Sequence, residues 1–374
     1  MQLLYGILLL MTFISAAPVV AAEDEAYYAL SGSCNLEFPR DHGAHPGFRT
    51  EWWYYTGNVE TEQARRFGYQ LTIFRRQISP PGAARHWPDP ASKWRTQQLY
   101  LGHMALSDID GKGHYSEEDI SRGVLGLAGV RQTDGQVSVF IKNFVIEIGS
   151  KSHRLQATSK KFSFDLFLKP IKGPVLHGVR GYSRKGDTPD RASCYYSFSR
   201  LQTRGEIRFN DQEFAVDGLS WMDHEFSTAD LQPGIEGWDW FSLQLDNGSE
   251  LMLYLLRQAD GHLNPASSGT LVDENGSTHH LSLDAIEIET LDTWESPHSA
   301  ARYPSRWRLA VEINDLQLFI EPNLADQEMR TPGSTGVTYW EGSVFASGQA
   351  RGKPVKGKGY VELTGYAGGA KPTK

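Results

Sequence analysis

Past its N-terminal apolar run the chain carries almost no helical periodicity. Apolar and polar positions alternate instead in short, aromatic-rich runs, the pattern of strands. GYQLTIF (68–74), QVSVFIKNFVIEI (136–148), KFSFDLFL (161–168), ELMLYLL (250–256), WRLAVEI (307–313) and LQLFIEP (316–322) each read as one strand. Between such runs stand Asp110-Gly111, Asp134-Gly135, Asn247-Gly248 and Asn275-Gly276, dipeptides that accept the positive φ of tight hairpin turns. Many short strands joined in this way predict an all-β sandwich or barrel.

The pattern also repeats. EWWYYTGNVETEQARRFGYQLTIFR opens one half and GWDWFSLQLDNGSELMLYLLR the other. Trp52 then falls on Trp238, Tyr54 on Trp240, Tyr55 on Phe241 and Thr56 on Ser242. After the turn, Leu71, Ile73 and Arg75 fall on Leu253, Leu255 and Arg257. The halves close alike, since AVDGLSWMDHEF against PVKGKGYVELTGY aligns Trp221 with Tyr360 and Asp223 with Glu362. Two antiparallel barrels of similar topology are the economical explanation. Their junction is expected in ADLQPGIEG (229–237), which is rich in turn residues, so the domains run 23–232 and 233–374. A barrel of roughly eight strands can hold a small ligand. Alternatively, Trp52 or Trp238 on a first strand plugs one end of its barrel.

The segment MQLLYGILLLMTFISAAPVVAA (1–22) reads as a signal peptide. Its apolar core, 3–14, is shorter than a membrane span, and Val20-Ala21-Ala22 offers the small residues of a cleavage site. It lacks a Lys or Arg ahead of the core. An exported, periplasmic protein is expected. The two cysteines, Cys34 and Cys194, either pair in that compartment or remain buried thiols. The net charge is −8 and no run is dense in Lys or Arg, so nucleic acid is not expected as a partner.

FPRDHGAHPGFRTEWWYYTGNV (38–59), WMDHEF (221–226), GWDWFSLQLDNG (237–248) and GKGYVELTGY (357–366) together resemble the AttH/CrtC family. The resemblance spans nearly the whole mature chain and keeps the order of the motifs. That family contains secreted proteins labelled predicted hydrolases, its relatives include carotenoid 1,2-hydratases, and fungal Diels–Alderases share its fold. The resemblance implies two lipocalin-like antiparallel β-barrel domains packed together, with an apolar ligand pocket inside or between them. It is closer to the secreted branch than to the hydratases, and it leaves the reaction open.

GLSWMDHEFS (218–227) sets Asp223, His224 and Glu225 in an apolar stretch, which is costly unless they are exposed or paired. On a strand, Trp221, Asp223 and Glu225 share one face, and Met222, His224 and Phe226 the other. Carboxylates two residues apart lie roughly 6–7 Å from each other. In an apolar pocket they cannot both ionise cheaply, so one pKa should rise and supply a general acid near neutral pH. Asp223 is the candidate acid, with Glu225 or His224 tuning it and Trp221 offering a flat surface to the ligand. In RTEWWYY, Glu51, Trp53 and Tyr55 share one face, and Trp52 and Tyr54 the other. Either face makes an aromatic wall, and Glu51 is a second candidate acid. His42 and His45 stand just before it in a loop, where binding residues often sit. Asp239, between Trp238 and Trp240, either needs a local partner or lines the same cleft as Asp223.

The structural alternative leaves Asp223 and Glu225 facing solvent or paired with Arg49, Arg75 or Arg257. The spacing of His42 and His45 falls short of a metal motif, and no HExxH or paired CxxC occurs, so no metal is expected. There is no nucleophile elbow, Walker loop or dinucleotide fingerprint, and no cofactor is expected. Three functions compete. The first is an enzyme that hydrates, hydrolyses or rearranges a hydrophobic small molecule, a lipid or an isoprenoid, by acid catalysis. The second is a periplasmic carrier passing such a ligand to a membrane transporter. The third and weakest is a glycan-active β-protein, suggested by Asp-x-Glu beside Trp221.

Overall fold

The computed structural model describes residues 26–90 and 92–368. The expected signal peptide, 1–22, lies outside the described residues. Strands from Thr50 to Ser227 form a thirteen-stranded antiparallel sheet, and strands from Ile235 to Leu363 a ten-stranded one. Each sheet curls around its own apolar core. The fold is therefore all-β, with two lipocalin-like barrels packed against each other. The stretch 228–234 joins them, and Pro233 and Gly234 lie in it.

Both barrels are organised around the same three strands. In the first, an opening strand, Thr50–Glu60, lies between Arg66–Gln77 and a closing strand, Gln212–Ser227. In the second, the opening strand Ile235–Leu245 lies between Glu250–Gln258 and the closing strand Lys353–Leu363. The registers coincide. Thr56 stands opposite Trp221 and Tyr54 opposite Asp223 in one ladder, Ser242 opposite Tyr360 and Trp240 opposite Glu362 in the other. The repeat in the sequence is a repeat of register as well as of topology.

One strand expectation needs correction. Residues 136–148 form two strands, Gln136–Ile141 and Phe144–Ile148, paired as a hairpin. The chain reverses at Lys142, whose φ is 50°, without the glycine that would have marked the turn. At the preceding hairpin Asp134 and Gly135 have φ of 49° and 78°, both positive as a two-residue turn of this hand requires.

Strand alternation divides the aromatic residues between three places. Trp53, Tyr55, Tyr69 and Met222 point into the first barrel, and Phe241, Leu243, Leu253 and Trp307 into the second. The side chains in between point outward, and the two outward faces meet. Tyr54, Tyr195 and Trp221 pack there against Trp240, Met252, Tyr254 and Tyr360. The opening strand is thus buried on both faces, which is why it reads as the unbroken run Trp52 to Tyr55.

A strap, 171–191, crosses this interface and ties the barrels together. Its Lys172 reaches the buried carboxylate of Glu250 at 2.9 Å, which Arg200 also contacts at 2.5 Å. Lys185 sits 3.6 Å from the ring centre of Tyr254. Cys34 and Cys194 form a disulfide, so the segment ahead of the opening strand is fastened to Ala192–Phe209.

Candidate active site

The outward faces of the two barrels do not close completely. They leave a cavity of about 410 Å³, of the size that holds a small ligand. Trp52, Tyr54 and Phe74 line it from the first barrel, and Trp238, Trp240 and Tyr254 from the second. Trp52 and Trp238 are therefore walls of a shared space and not plugs of their own barrels. The tryptophan inside the first barrel is Trp53, whose indole N–H donates to the carbonyl of His42 at 2.9 Å.

Four carboxyls carried by strands open onto this aromatic space, and a fifth, Asp230 of the joining stretch, lines it while paired with Arg49. Asp223 and Glu225 come from the first closing strand, Glu362 from the second, and Glu341 from the strand Val337–Ala350. Asp223 is fully enclosed and meets three neutral donors. Tyr195 Oη donates to Oδ2 at 2.7 Å, the Trp221 indole to Oδ1 at 2.6 Å, and Ser197 Oγ also to Oδ1. Burial pushes its pKa up to about 7, the three donors restrain that rise, and the charge of Glu225 adds to it. None of Arg49, Arg75 and Arg257 reaches it, because they pair with Asp230, Glu51 and Asp239.

Glu341 and Glu362 stand directly opposite each other across neighbouring strands, where two like charges repel. Burial, then the neighbouring carboxyls, raises both, Glu362 to about 8 and Glu341 well above its ordinary value. The Tyr54 hydroxyl donates to Glu341 and pulls the other way. Glu225 differs from the other three, since Lys185 lies 3.0 Å from it and Ser193 donates to it at 2.5 Å.

The remaining sequence candidates lie elsewhere. Glu51 and His224 point into the first barrel. Glu51 Oε2 accepts from Arg75 Nε at 2.7 Å, and Oε1 meets His45 Nδ1 at 2.7 Å and His224 Nε2 at 2.9 Å. Burial would raise this carboxyl, but the two histidines and the guanidinium outweigh it and hold Glu51 well below the usual carboxylate range. His42 is lodged against Tyr196, with Nδ1 2.7 Å from the hydroxyl, and burial drops its pKa to about 4. Asp239 is turned away from the cavity, held by Arg257 at 2.9 Å and by Tyr366 at 3.0 Å.

His45, Glu51 and His224 bring three ligand-type atoms within 4.8 Å of one another. Their other bonds speak for an ion-pair network. Arg75 holds the second oxygen of Glu51, Asp41 contacts the other ring nitrogen of His45 at 3.3 Å, and Tyr196 contacts that of His224 at 3.0 Å. The guanidinium already supplies the positive charge a metal would bring.

Sequence reasoning passed over Glu341, Tyr195, Lys185 and the site role of Glu362. Glu362 was within reach, because the repeat aligns it with Asp223. Glu341 carries the same signal as Asp223, an acid in an aromatic stretch, Tyr339-Trp340-Glu341. Lys185 lies in the strap and has no local signal.

Comparison with known proteins agrees with this architecture. The sequence model of a family described as AttH-like matches residues 29–366. A crystal structure of a Nitrosomonas europaea protein described as AttH is similar, with 33% identity and a TM-score of 0.79, over 91% of this chain and 99% of that one. Kievitone hydratase from Nectria haematococca shares the fold at 15% identity and a TM-score of 0.68, covering 91% of this chain and 96% of its own. So does CghA, solved with Sch210972, at 11% identity and a TM-score of 0.53, with 92% and 98% covered. No curated protein matches the chain.

Proposed function

The chain belongs to the AttH-like family, and from that premise we propose that it is an enzyme acting on an unsaturated, apolar small molecule held between the barrels, with Asp223 as its proton donor. One observation carries the reading. Asp223 is a buried carboxyl on an aromatic-walled cavity, bonded by three neutral donors and, among the described residues, by no cation. Burial raises the acid to about 7, so a large share of it holds its proton at neutral pH. Tyr195, Ser197 and Trp221 stabilise the carboxylate that remains once the proton has left. Such a group can both hold a proton and release it.

In the proposed step the π electrons of a ligand double bond take the proton from Asp223, and positive charge develops on the neighbouring carbon. The aromatic walls favour that charge. A water held beside the ligand then adds, or the skeleton rearranges, and in either case the proton that is lost passes to water and leaves Asp223 ionised at the end of the turnover. Glu341 and Glu362, kept protonated by their surroundings, add no fixed negative charge to the cavity that would disfavour an apolar guest, and the carboxylates of Glu225 and Asp230 are paired with Lys185 and Arg49. The fold likeness to a hydratase does not carry this proposal, because it rests on the carboxyls. A carrier would use the same cavity but gives the buried acids no task. The Cys34–Cys194 disulfide supports action in an oxidising compartment, consistent with export.

The test is to purify residues 23–374 and the Asp223→Asn variant and to identify the small molecules bound to each by mass spectrometry. Product on the wild type and precursor on the variant support the proposal. The same unaltered molecule on both makes the protein a carrier and removes Asp223 from any catalytic role.

A further inference from the structure

Asp223 is also the end of a row of hydrogen bonds that leaves the cavity. Ser197 Oγ bonds its Oδ1. His177 Nε2 lies 2.6 Å from that Oγ, and His177 Nδ1 lies 2.9 Å from Thr270 Oγ1. The row crosses the interface, from the first closing strand through Ala192–Phe209 and the strap to Ser268–Val272 of the second barrel. No member is more than 4% exposed. Thr270 stands opposite His280 in the next strand, and His280 reaches the surface. His177 does not line the cavity, whereas Tyr195, whose ring centre is 4.1 Å from its own, does.

Adhesion between barrels needs no such row. Aromatic side chains supply it all around, and buried polar groups are costly unless every bond is made. The row does provide a route to Asp223 that avoids the cavity. Once an apolar ligand fills that space, the acid no longer exchanges protons with bulk water from the ligand side.

We propose that Ser197, His177 and Thr270 form a proton relay that recharges Asp223 through the interface, with His177 exchanging its two neutral tautomers. The proposal rests on the reading of Asp223 as a proton donor. With Asp223 ionised, Thr270 donates to Nδ1, Nε2–H donates to Ser197, and Ser197 donates to Oδ1. Recharging moves each proton one place. The Ser197 proton goes to Asp223, the Nε2 proton to Ser197 and the Thr270 proton to Nδ1, and a proton from solvent water on the His280 side replaces the one leaving Thr270. One proton enters for the one taken up, and only O–H and N–H bonds change.

The charged surroundings favour a neutral relay. Burial, then the positive charges of Lys185 and His280, pushes the pKa of His177 down to about 3. It therefore passes a proton by gaining at one nitrogen as it loses at the other. Asp223 itself faces Glu225, Glu341 and Glu362 and the hydroxyls of Tyr54 and Tyr195, so its charge state follows theirs.

The experiment needs no substrate. Full-length protein labelled with ¹⁵N-histidine is titrated from about pH 5 to about pH 9, with His177 assigned from the His177→Gln variant. The infrared carboxyl stretch of Asp223, assigned from Asp223→Asn, is followed in parallel. The expected result is Nε2–H above the Asp223 midpoint, Nδ1–H below it, and a single tautomer at every pH in Asp223→Asn. If Asp223 titrates while His177 keeps one tautomer or becomes doubly protonated, the relay is overturned and the proton donor stands. If Asp223 shows no protonated band anywhere near neutrality, the proton donor fails and the relay with it.

Discussion

Glu51 and Asp223 are both buried acids on adjacent strands of the first barrel, yet one is held ionised and the other titrates near neutrality. Burial acts on each in the same direction, toward the neutral acid. The partners differ. Glu51 faces the barrel interior and meets a guanidinium and two imidazoles. Asp223 faces the second barrel and meets a hydroxyl, a phenol and an indole, all of them neutral. Hydrogen bonds alone do not restore an ordinary pKa to an enclosed carboxyl, whereas a buried positive charge overrules the enclosure. One strand pair thus carries a structural anion on one face and a titratable acid on the other.

The largest expected effect comes from removing the charge that separates the two. Arg75→Met leaves Glu51 buried beside imidazoles alone, and breaking a buried pair in this way costs about 3–5 kcal/mol. Urea unfolding of the wild type, Arg75→Met, Glu51→Gln and the double variant gives the coupling. A loss below about 1 kcal/mol in Arg75→Met would mean that the histidines suffice and the guanidinium is not what distinguishes the sites. Asp223→Asn is expected to behave in the opposite way. The fold should persist, because the amide keeps the shape and no cation is stranded, while turnover of whatever ligand the wild type transforms falls by about 10²- to 10⁴-fold.

The two acids should also leave opposite marks on stability against pH. Asp223 and Glu362 have folded pKa values raised to about 7 and about 8, so the folded state binds the extra protons. Their contribution is complete below the unfolded carboxylate range and is lost as pH rises through about 7 to about 8, on the order of a few kcal/mol between them. Glu51 is depressed, so its contribution is present at neutral pH and is lost only as strong acid protonates it. Wild-type unfolding free energy should therefore fall from pH 5 to pH 9 (about the range set by those two values), and Asp223→Asn combined with Glu362→Gln should flatten the slope. An unchanged slope in the double variant would show that these carboxyls are ionised throughout.

Much of this comparison was legible in the sequence, but not its decisive term. Alternation on a strand separates Asp223 from His224, and the repeat pairs Asp223 with Glu362 across the two halves. Both follow from the two-residue period, a local property. The partner of Glu51 is not local. Arg75 lies opposite it on the neighbouring strand, a matter of register that the hairpin decides. In the second half the corresponding cross-strand pair is Arg257 with Gly237, and the acid that Arg257 binds is Asp239, two positions on. A side chain at Gly237 would run into the Arg257 guanidinium, so the repeat keeps the arginine and moves the acid. The cavity was the least legible feature. It exists because two outward faces meet, and alternation within one barrel does not reveal that its outer face is buried.

The smallest effect tests the other half of the comparison, the three neutral donors. Tyr195→Phe keeps the ring in its place beside His177 and removes the hydroxyl that donates to Asp223 Oδ2 and accepts from the Trp240 indole. A hydrogen bond to a charged group is worth about 1.5–3 kcal/mol, which corresponds to roughly one to two units of pKa. Since the bond favours the carboxylate, its loss should move the Asp223 midpoint upward by that amount, measured by the infrared carboxyl band across pH. The wild-type value then reflects a balance in which burial lifts the acid and each donor returns part of the rise. A midpoint that stays still would mean that the Tyr195 hydroxyl favours neither form of the acid, and one that falls would mean that Tyr195 accepts a hydrogen bond from Asp223 instead of donating one. The phenol would then be holding the acid in its protonated form, and the roles of Tyr195 and Ser197 at the two oxygens would have to be exchanged.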